Sequence, residues 1–320
     1  VSGNTVVVGA WAEDSNATGV NGNQSNNDAP NSGAVYVFVR NGSGVWSQQA
    51  YLKASNTGTS NGFGDSVAIS GDTIVVGSVD ESSSATGVNG NQFNTDATAA
   101  GAAYVFVRSG STWSQQAYLK ASNSEAHDFF GTAVAIHGDT VLVGAPGEDS
   151  SATGVAGGQS DNSATDSGAV YVFKRNGSTW TQQAYLKASN TGTTDRFGYS
   201  VSLDGDTAVI GAPDERSSAT GVNGNQNIND ATAAGAAYVF TRNGSTWSQQ
   251  AYLKASNTEA GDRFGRSVST NGERIVVGAP YERSSATGIN GSQTNNDAFF
   301  AGAAYVFVRN NLTWSQQAYI

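Results

Sequence analysis

The sequence predicts an all-β chain: a β-propeller of four-stranded antiparallel blades, made from five repeat units of about 67 residues with the first unit incomplete. Three observations predict it. Phe-Gly recurs at Phe63, Phe130, Phe197 and Phe264, and Trp recurs at Trp46, Trp113, Trp180, Trp247 and Trp314, with the same step between neighbours in both series. A fixed period of this size is the mark of one supersecondary unit copied in tandem. Each unit carries short β-branched and aromatic runs separated by Gly- and Asn-rich turns, with no helical periodicity. Four short strands per repeat is the pattern of a propeller blade. A parallel β-helix is the rival, but its coils are shorter and would not hold a tight two-residue hairpin in every repeat.

The unit that begins at Phe63 shows each element. Its first strand is Ser66 to Ser70, where Val67 and Ile69 alternate with small residues. Gly71-Asp72 then forms a two-residue hairpin loop. The second strand, Thr73 to Gly77, is a continuous β-branched run suited to burial on both faces. The third strand, Ala102 to Arg108, centres on Tyr104-Val105-Phe106. A short turn leads to the fourth strand, Trp113 to Lys120, and a polar link runs on to the next Phe-Gly. About 24 residues join the second and third strands, a length that is unusual for a structureless loop; their recurrence in all five units argues that they are ordered. The units are approximately 1–62, 63–129, 130–196, 197–263 and 264–320, with no linker between them. Val1-Ser2-Gly3-Asn4 matches Ile69-Ser70-Gly71-Asp72, so the first unit starts late. Met is absent even at position 1, so a processed or excised piece of a longer parent chain is expected.

Composition narrows the function. Charged residues make up 13% and hydrophobic residues 38%, which argues against disorder. A net charge of −10 makes nucleic acid or an anionic membrane surface an unsuitable partner. No apolar stretch approaches the roughly 20 residues of a membrane span. Cysteine is absent, so there are no disulfides and no thiol nucleophile. The two histidines, His127 and His137, both lie in the third unit, and no serine has a repeated partner base. An acid pair could be drawn from the Glu and Asp of one loop, but five near-equal copies are not the arrangement of an active site. No enzymatic activity is expected.

Phe-Gly, then Val-Gly-Ala-Pro with its Pro sixteen residues on, then Tyr-Val-Phe, resembles the FG-GAP repeat. Gly-Ala-Pro stands at Gly144, Gly211 and Gly278 and is degraded at Gly9-Ala10-Trp11 and Gly77-Ser78-Val79. The resemblance covers the whole chain. It implies the seven-bladed propeller of integrin alpha chains and of bacterial secreted proteins, an extracellular or cell-surface location, and a ligand face formed by loops. It also implies calcium loops between the first two strands, but here that connection has only two residues and cannot wrap a cation.

Two residue sets mark the long loops. Thr18, Thr86, Thr153, Thr220 and Thr287, with Gln24, Gln92, Gln159, Gln226 and Gln293, are candidates for a ligand-binding face. Glu13, Glu81, Glu148, Glu215 and Glu282, with Asp28, Asp96, Asp161, Asp230 and Asp297, are candidate Ca²⁺ ligands, because a hard cation takes six to eight oxygens. Their bland reading is that each Glu pairs with a recurring Arg or Lys and each Asp caps a turn. The Trp set could form a sugar platform, but directly after a tight turn packing against the blade edge is the better reading, and the mid-strand tyrosines read as core. Asn-x-Ser/Thr triplets at Asn16, Asn41, Asn176, Asn243 and Asn311 fall in loops or turns, where hairpin chemistry already explains most of them. The leading expectation is a surface binding or adhesion module for a protein or glycan ligand on cells or matrix. A multivalent propeller lectin and a purely structural repeat are the alternatives.

Overall fold

A computed structural model describes residues 1–320. It contains strands and turns with no helix. The first sheet is β1 (Thr5–Ala10), β2 (Ala34–Arg40) and β3 (Trp46–Leu52). Four sheets of four strands follow, each in chain order and antiparallel throughout. The second is β4 (Phe63–Ser70), β5 (Thr73–Ser78), β6 (Ala102–Ser109) and β7 (Thr112–Leu119). The third is β8 (Ala133–His137), β9 (Thr140–Ala145), β10 (Ala169–Asn176) and β11 (Thr179–Leu186). The fourth is β12 (Ser200–Asp204), β13 (Thr207–Ala212), β14 (Ala236–Asn243) and β15 (Thr246–Leu253). The fifth is β16 (Ser267–Thr270), β17 (Arg274–Ala279), β18 (Ala303–Asn310) and β19 (Thr313–Tyr319). The chain divides into two compact bodies, Val1–Ala145 with Tyr171–Gln183, and Pro146–Val170 with Ala184–Ile320.

In the first body, one face of the second sheet packs on the first sheet. Val35, Val37, Ala50 and Leu52 meet Phe63, Ile74, Val76, Tyr104, Phe106 and Trp113 in a single core. The second body repeats this with Val209, Val239 and Leu253 against Phe264, Ile275, Val277, Tyr305 and Trp314. The second strand of a complete sheet therefore presents apolar side chains on both faces, which is why it reads as a continuous run rather than an alternation. The repeat Phe meets the Tyr and Phe of the third strand edge-on: Phe63 lies 5.3 Å from Tyr104 and 6.1 Å from Phe106.

A β-bulge in the last hairpin of the sheet helps to join neighbours. Val37 pairs with Ala50 but Phe38 pairs with Gln48, leaving Gln49 as the extra residue. The bulge turns Gln49 and Ala50 to the same side. Ala50 enters the core with the second sheet, and Gln49 Oε1 accepts a 2.8 Å hydrogen bond from Trp113 Nε1. The same bond joins Trp180 to Gln116 and Trp314 to Gln250. Trp113, Trp180, Trp247 and Trp314 are buried and offer no exposed platform; of this set only Trp46, on the first sheet, is 45% exposed. Arg108 lies 5.1 Å over the Trp113 ring, and its Nε donates to Asp72 in the first hairpin turn of its own sheet. The mid-strand tyrosines Tyr104, Tyr171, Tyr238 and Tyr305 are fully buried.

Candidate functional site

Antiparallel order sets the two ends of every sheet. The turns joining first to second and third to fourth strands lie at one end, and the long loop joining second to third lies at the other. Three kinds of contact fix the loops. The Gly near a loop's C-terminal end pairs with the next repeat's Phe, as in the parallel bridges Gly101 to Phe130 and Gly235 to Phe264. The Thr-Gly-Val segment bridges the end of its own last strand, as Val88 does to Leu119 and Val222 to Leu253. The Glu carboxylate is held from below.

That last contact is the best defended part of the loop. Lys120 Nζ lies 3.0 Å from Glu81, and Lys53, Lys187 and Lys254 lie 2.8 Å from Glu13, Glu148 and Glu215. All four lysines are fully buried. Tyr252 Oη and Asn190 Nδ2 also donate to Glu215, at 2.9 and 2.8 Å. Glu282 receives Tyr319 Oη, Asn257 Nδ2 and the Ser284 backbone N–H. Burial pulls the Lys120, Lys187 and Lys254 ammonium groups below their ordinary range, opposed by the paired Glu. Of the two partners weighed for the Glu, the structure therefore selects Lys; the Arg pairs instead with the hairpin acids Asp72, Asp139, Asp206 and Glu273.

The candidate Ca²⁺ ligands are not gathered. No group of three or more of the chain's His, Asp or Glu residues is placed to hold a metal ion. Asp28 accepts from Asn16 Nδ2 at 3.3 Å; Asp96, Asp230 and Asp297 are exposed. Asp161 accepts from Ser151 and Ser163, and those bonds hold its carboxyl well below the usual range.

The ligand-face candidates separate by type. Thr18, Thr86, Thr153, Thr220 and Thr287 are all exposed on the loops. Gln24 is exposed, but Gln92, Gln159, Gln226 and Gln293 are half-buried. Gln92 Oε1 accepts from Ser55 of the link entering its repeat, Gln226 from Ser189 and Gln293 from Ser256. The link so held also touches the loop before it: Gly62 N–H donates to Asn31 O, and Arg263 N–H to Ala233 O. Within each body the rim is thus an alternation of loop and link, bonded on both sides. Loop residues Trp11, Phe93, Ile228, Ile289, Phe299 and Phe300 stand exposed on it.

Several rim residues carry roles that the sequence did not single out. The loop glycines Gly33, Gly101, Gly168 and Gly235 press on the backbone of the following Phe. The link asparagines Asn56, Asn190 and Asn257 bind the next loop's Glu with Nδ2 and accept from Tyr104, Tyr238 and Tyr305 Oη. Both sets recur once per repeat, so their periodicity was available as a signal even though their partners were not.

The links also carry buried carboxyls. Asp195 and Asp262 are 4% and 2% exposed. Burial, with the Glu215 charge second, pushes Asp195 up to about 7, and burial pushes Asp262 up to about 6. The folded state thus holds a proton on Asp195 that the unfolded chain releases near 3.8, so stability should fall as pH rises from about 4 to 7. Asp195→Asn keeps an acceptor and removes the charge. It should raise stability by roughly 2 kcal/mol at pH 8 and change it little at pH 4, as followed by thermal melts across pH. An equal gain at both pH values would show that the charge is not the cause.

Four segments, 46–106, 113–173, 180–240 and 247–307, match the model of the FG-GAP repeat. Each match opens on a last-strand Trp and closes in the third strand of the following sheet, one strand out of step with the sheets. No curated protein matches the chain.

Proposed function

This chain belongs to the FG-GAP repeat family, and from that premise we propose that it is a non-enzymatic extracellular or cell-surface binding module, its sheets acting as the blades of a β-propeller and its loop rim as the ligand face. The observation that carries this reading is the interleaving of loops and links at one end of the sheets, against short turns at the other end of each complete sheet. Loops held on a rigid sheet scaffold are where recognition is usually sited. Apolar side chains left exposed along them, Phe93 and Ile228 among them, add contact area that folding does not use. The Glu carboxylates tied to buried lysines are poorly placed for acid–base work, which favours binding over catalysis.

Replacing segments 82–98 and 217–232 by Gly-Ser linkers tests the reading. The expected result is a folded β protein by circular dichroism that has lost adhesion to cells and matrix. Undiminished adhesion by the folded variant would overturn it and leave a structural spacer as the better description.

A further inference from the structure

We propose that the groove between the link 55–61 and the loop 81–98 in the first body binds a neutral oligosaccharide, with Phe93 as its stacking surface. This rests on the reading of the loop rim as a binding face and names the ligand class of one site on it.

The groove encloses about 580 Å³, within the roughly 300–1,000 Å³ range of small-ligand sites. Its walls are hydroxyl and carboxamide side chains. Thr59, Asn61, Thr95 and Thr98 line it, and their side chains make no hydrogen bond within the protein. Gln92 spends its Oε1 on Ser55, which leaves its Nε2 donors for a ligand. Such a set offers donors and acceptors in pairs, as a ring of sugar hydroxyls requires. No Lys or Arg lines the groove, Glu81 does, and the chain carries a net charge of −10; sulfated and other acidic sugars are therefore disfavoured.

Phe93 supplies the apolar face. It is 77% exposed and lines the groove. It follows the recurring loop Gln, a place held by Ser25, Ser160, Asn227 and Thr294 in the other loops. An aromatic at this place is thus particular to one loop, and the inference is of a single site rather than the multivalent array that the repeat itself would suggest. Stacking of an aromatic face on a sugar's C–H face, framed by polar groups that fix orientation, suits this arrangement better than a buried peptide anchor, for which the groove has no deep apolar pocket.

The test uses the whole 320-residue chain. Neutral cello-, manno- and chito-oligosaccharides, with a sulfated oligosaccharide as the charged comparator, are screened by glycan array and titrated by calorimetry. At least one neutral series should bind, and Phe93→Ala should weaken it about tenfold. Phe93→Trp should retain binding and show an indole fluorescence change on titration, while Leu312→Ala, an exposed residue in the short turn between β18 and β19 and not on the loop rim, should bind as wild type. Binding only to the sulfated sugar, equal binding by Phe93→Ala, or no binding to any neutral series would overturn the inference. If the loop replacements abolish cell adhesion while no neutral sugar binds, the oligosaccharide inference alone falls and a protein ligand takes its place. If adhesion also survives those replacements, the binding face falls with it.

Discussion

Lys254→Met should destabilise the protein by about 3–5 kcal/mol, measured by urea or thermal unfolding. Neither Lys254 nor Glu215 exposes any side-chain surface, and their charged atoms are 2.8 Å apart. Met fills nearly the same volume, so cavity formation contributes little. The cost comes from leaving the Glu215 carboxylate buried with its Asn190 and Tyr252 donors but without its counter-charge. The double variant Lys254→Met/Glu215→Gln should recover at least half of the loss, because Gln remains an acceptor for both donors and carries no charge. That coupling is read as a double-mutant cycle. If the double variant is as unstable as Lys254→Met alone, the loss lies in packing and the ion-pair account is wrong.

The other large effect is expected at Gly235. Its φ is +83°, a left-handed conformation that costs an L-residue about 1–2 kcal/mol. A β-carbon there would also run into the Phe264 carbonyl oxygen and come within 2.6 Å of the Phe264 nitrogen. Those are backbone atoms in the strand-like bridge between loop and next repeat, so neither can swing aside. Gly235→Ala should therefore cost roughly 3 kcal/mol or more and loosen the loop, read as faster amide exchange at Gly235 and Phe264. Gly244→Ala is the comparison: φ is +64° there, but nothing lies within 4 Å of the added carbon. Its cost should stay near about 1 kcal/mol. Equal losses at the two positions would mean that the close approach of Gly235 to Phe264 has no energetic weight.

Much of the fold was legible because the signals are local. A β-branched run at Thr73, a two-residue turn at Gly71-Asp72 and an aromatic strand at Tyr104 each declare themselves within a few residues. The mid-strand tyrosines read as core and are core, except Tyr36 on the first sheet, which is half-buried; the Trp set read as edge packing and is buried, Trp46 excepted. The site was legible only in outline. That a loop Glu would need a cation was foreseeable, but the choice between Arg and Lys was not. It depends on the last strand ending directly beneath the loop, which brings Lys254 to Glu215 from 39 residues away. Likewise Gln92 looked like a ligand group, because nothing near it in sequence hints that Ser55, 37 residues earlier, would meet it. Side chains that join neighbouring repeats are paired by packing, and packing leaves no local trace in the sequence.

The junctions carry a further consequence. The bonds that cross them recur at fixed offsets: 64 residues from Trp to Gln, 48 from Tyr to Asn, 60 from Gln to Ser and 25 from Asn to Glu. Within each body, whatever one module asks of its predecessor the next asks in the same way. A recombination event that adds or removes one whole module in register therefore splices one seam like those already present, with nothing to repack on either side. Genes encoding such chains are free to grow and shrink in whole modules, while an insertion of any other length within the strands that carry these bonds would move their partners out of register.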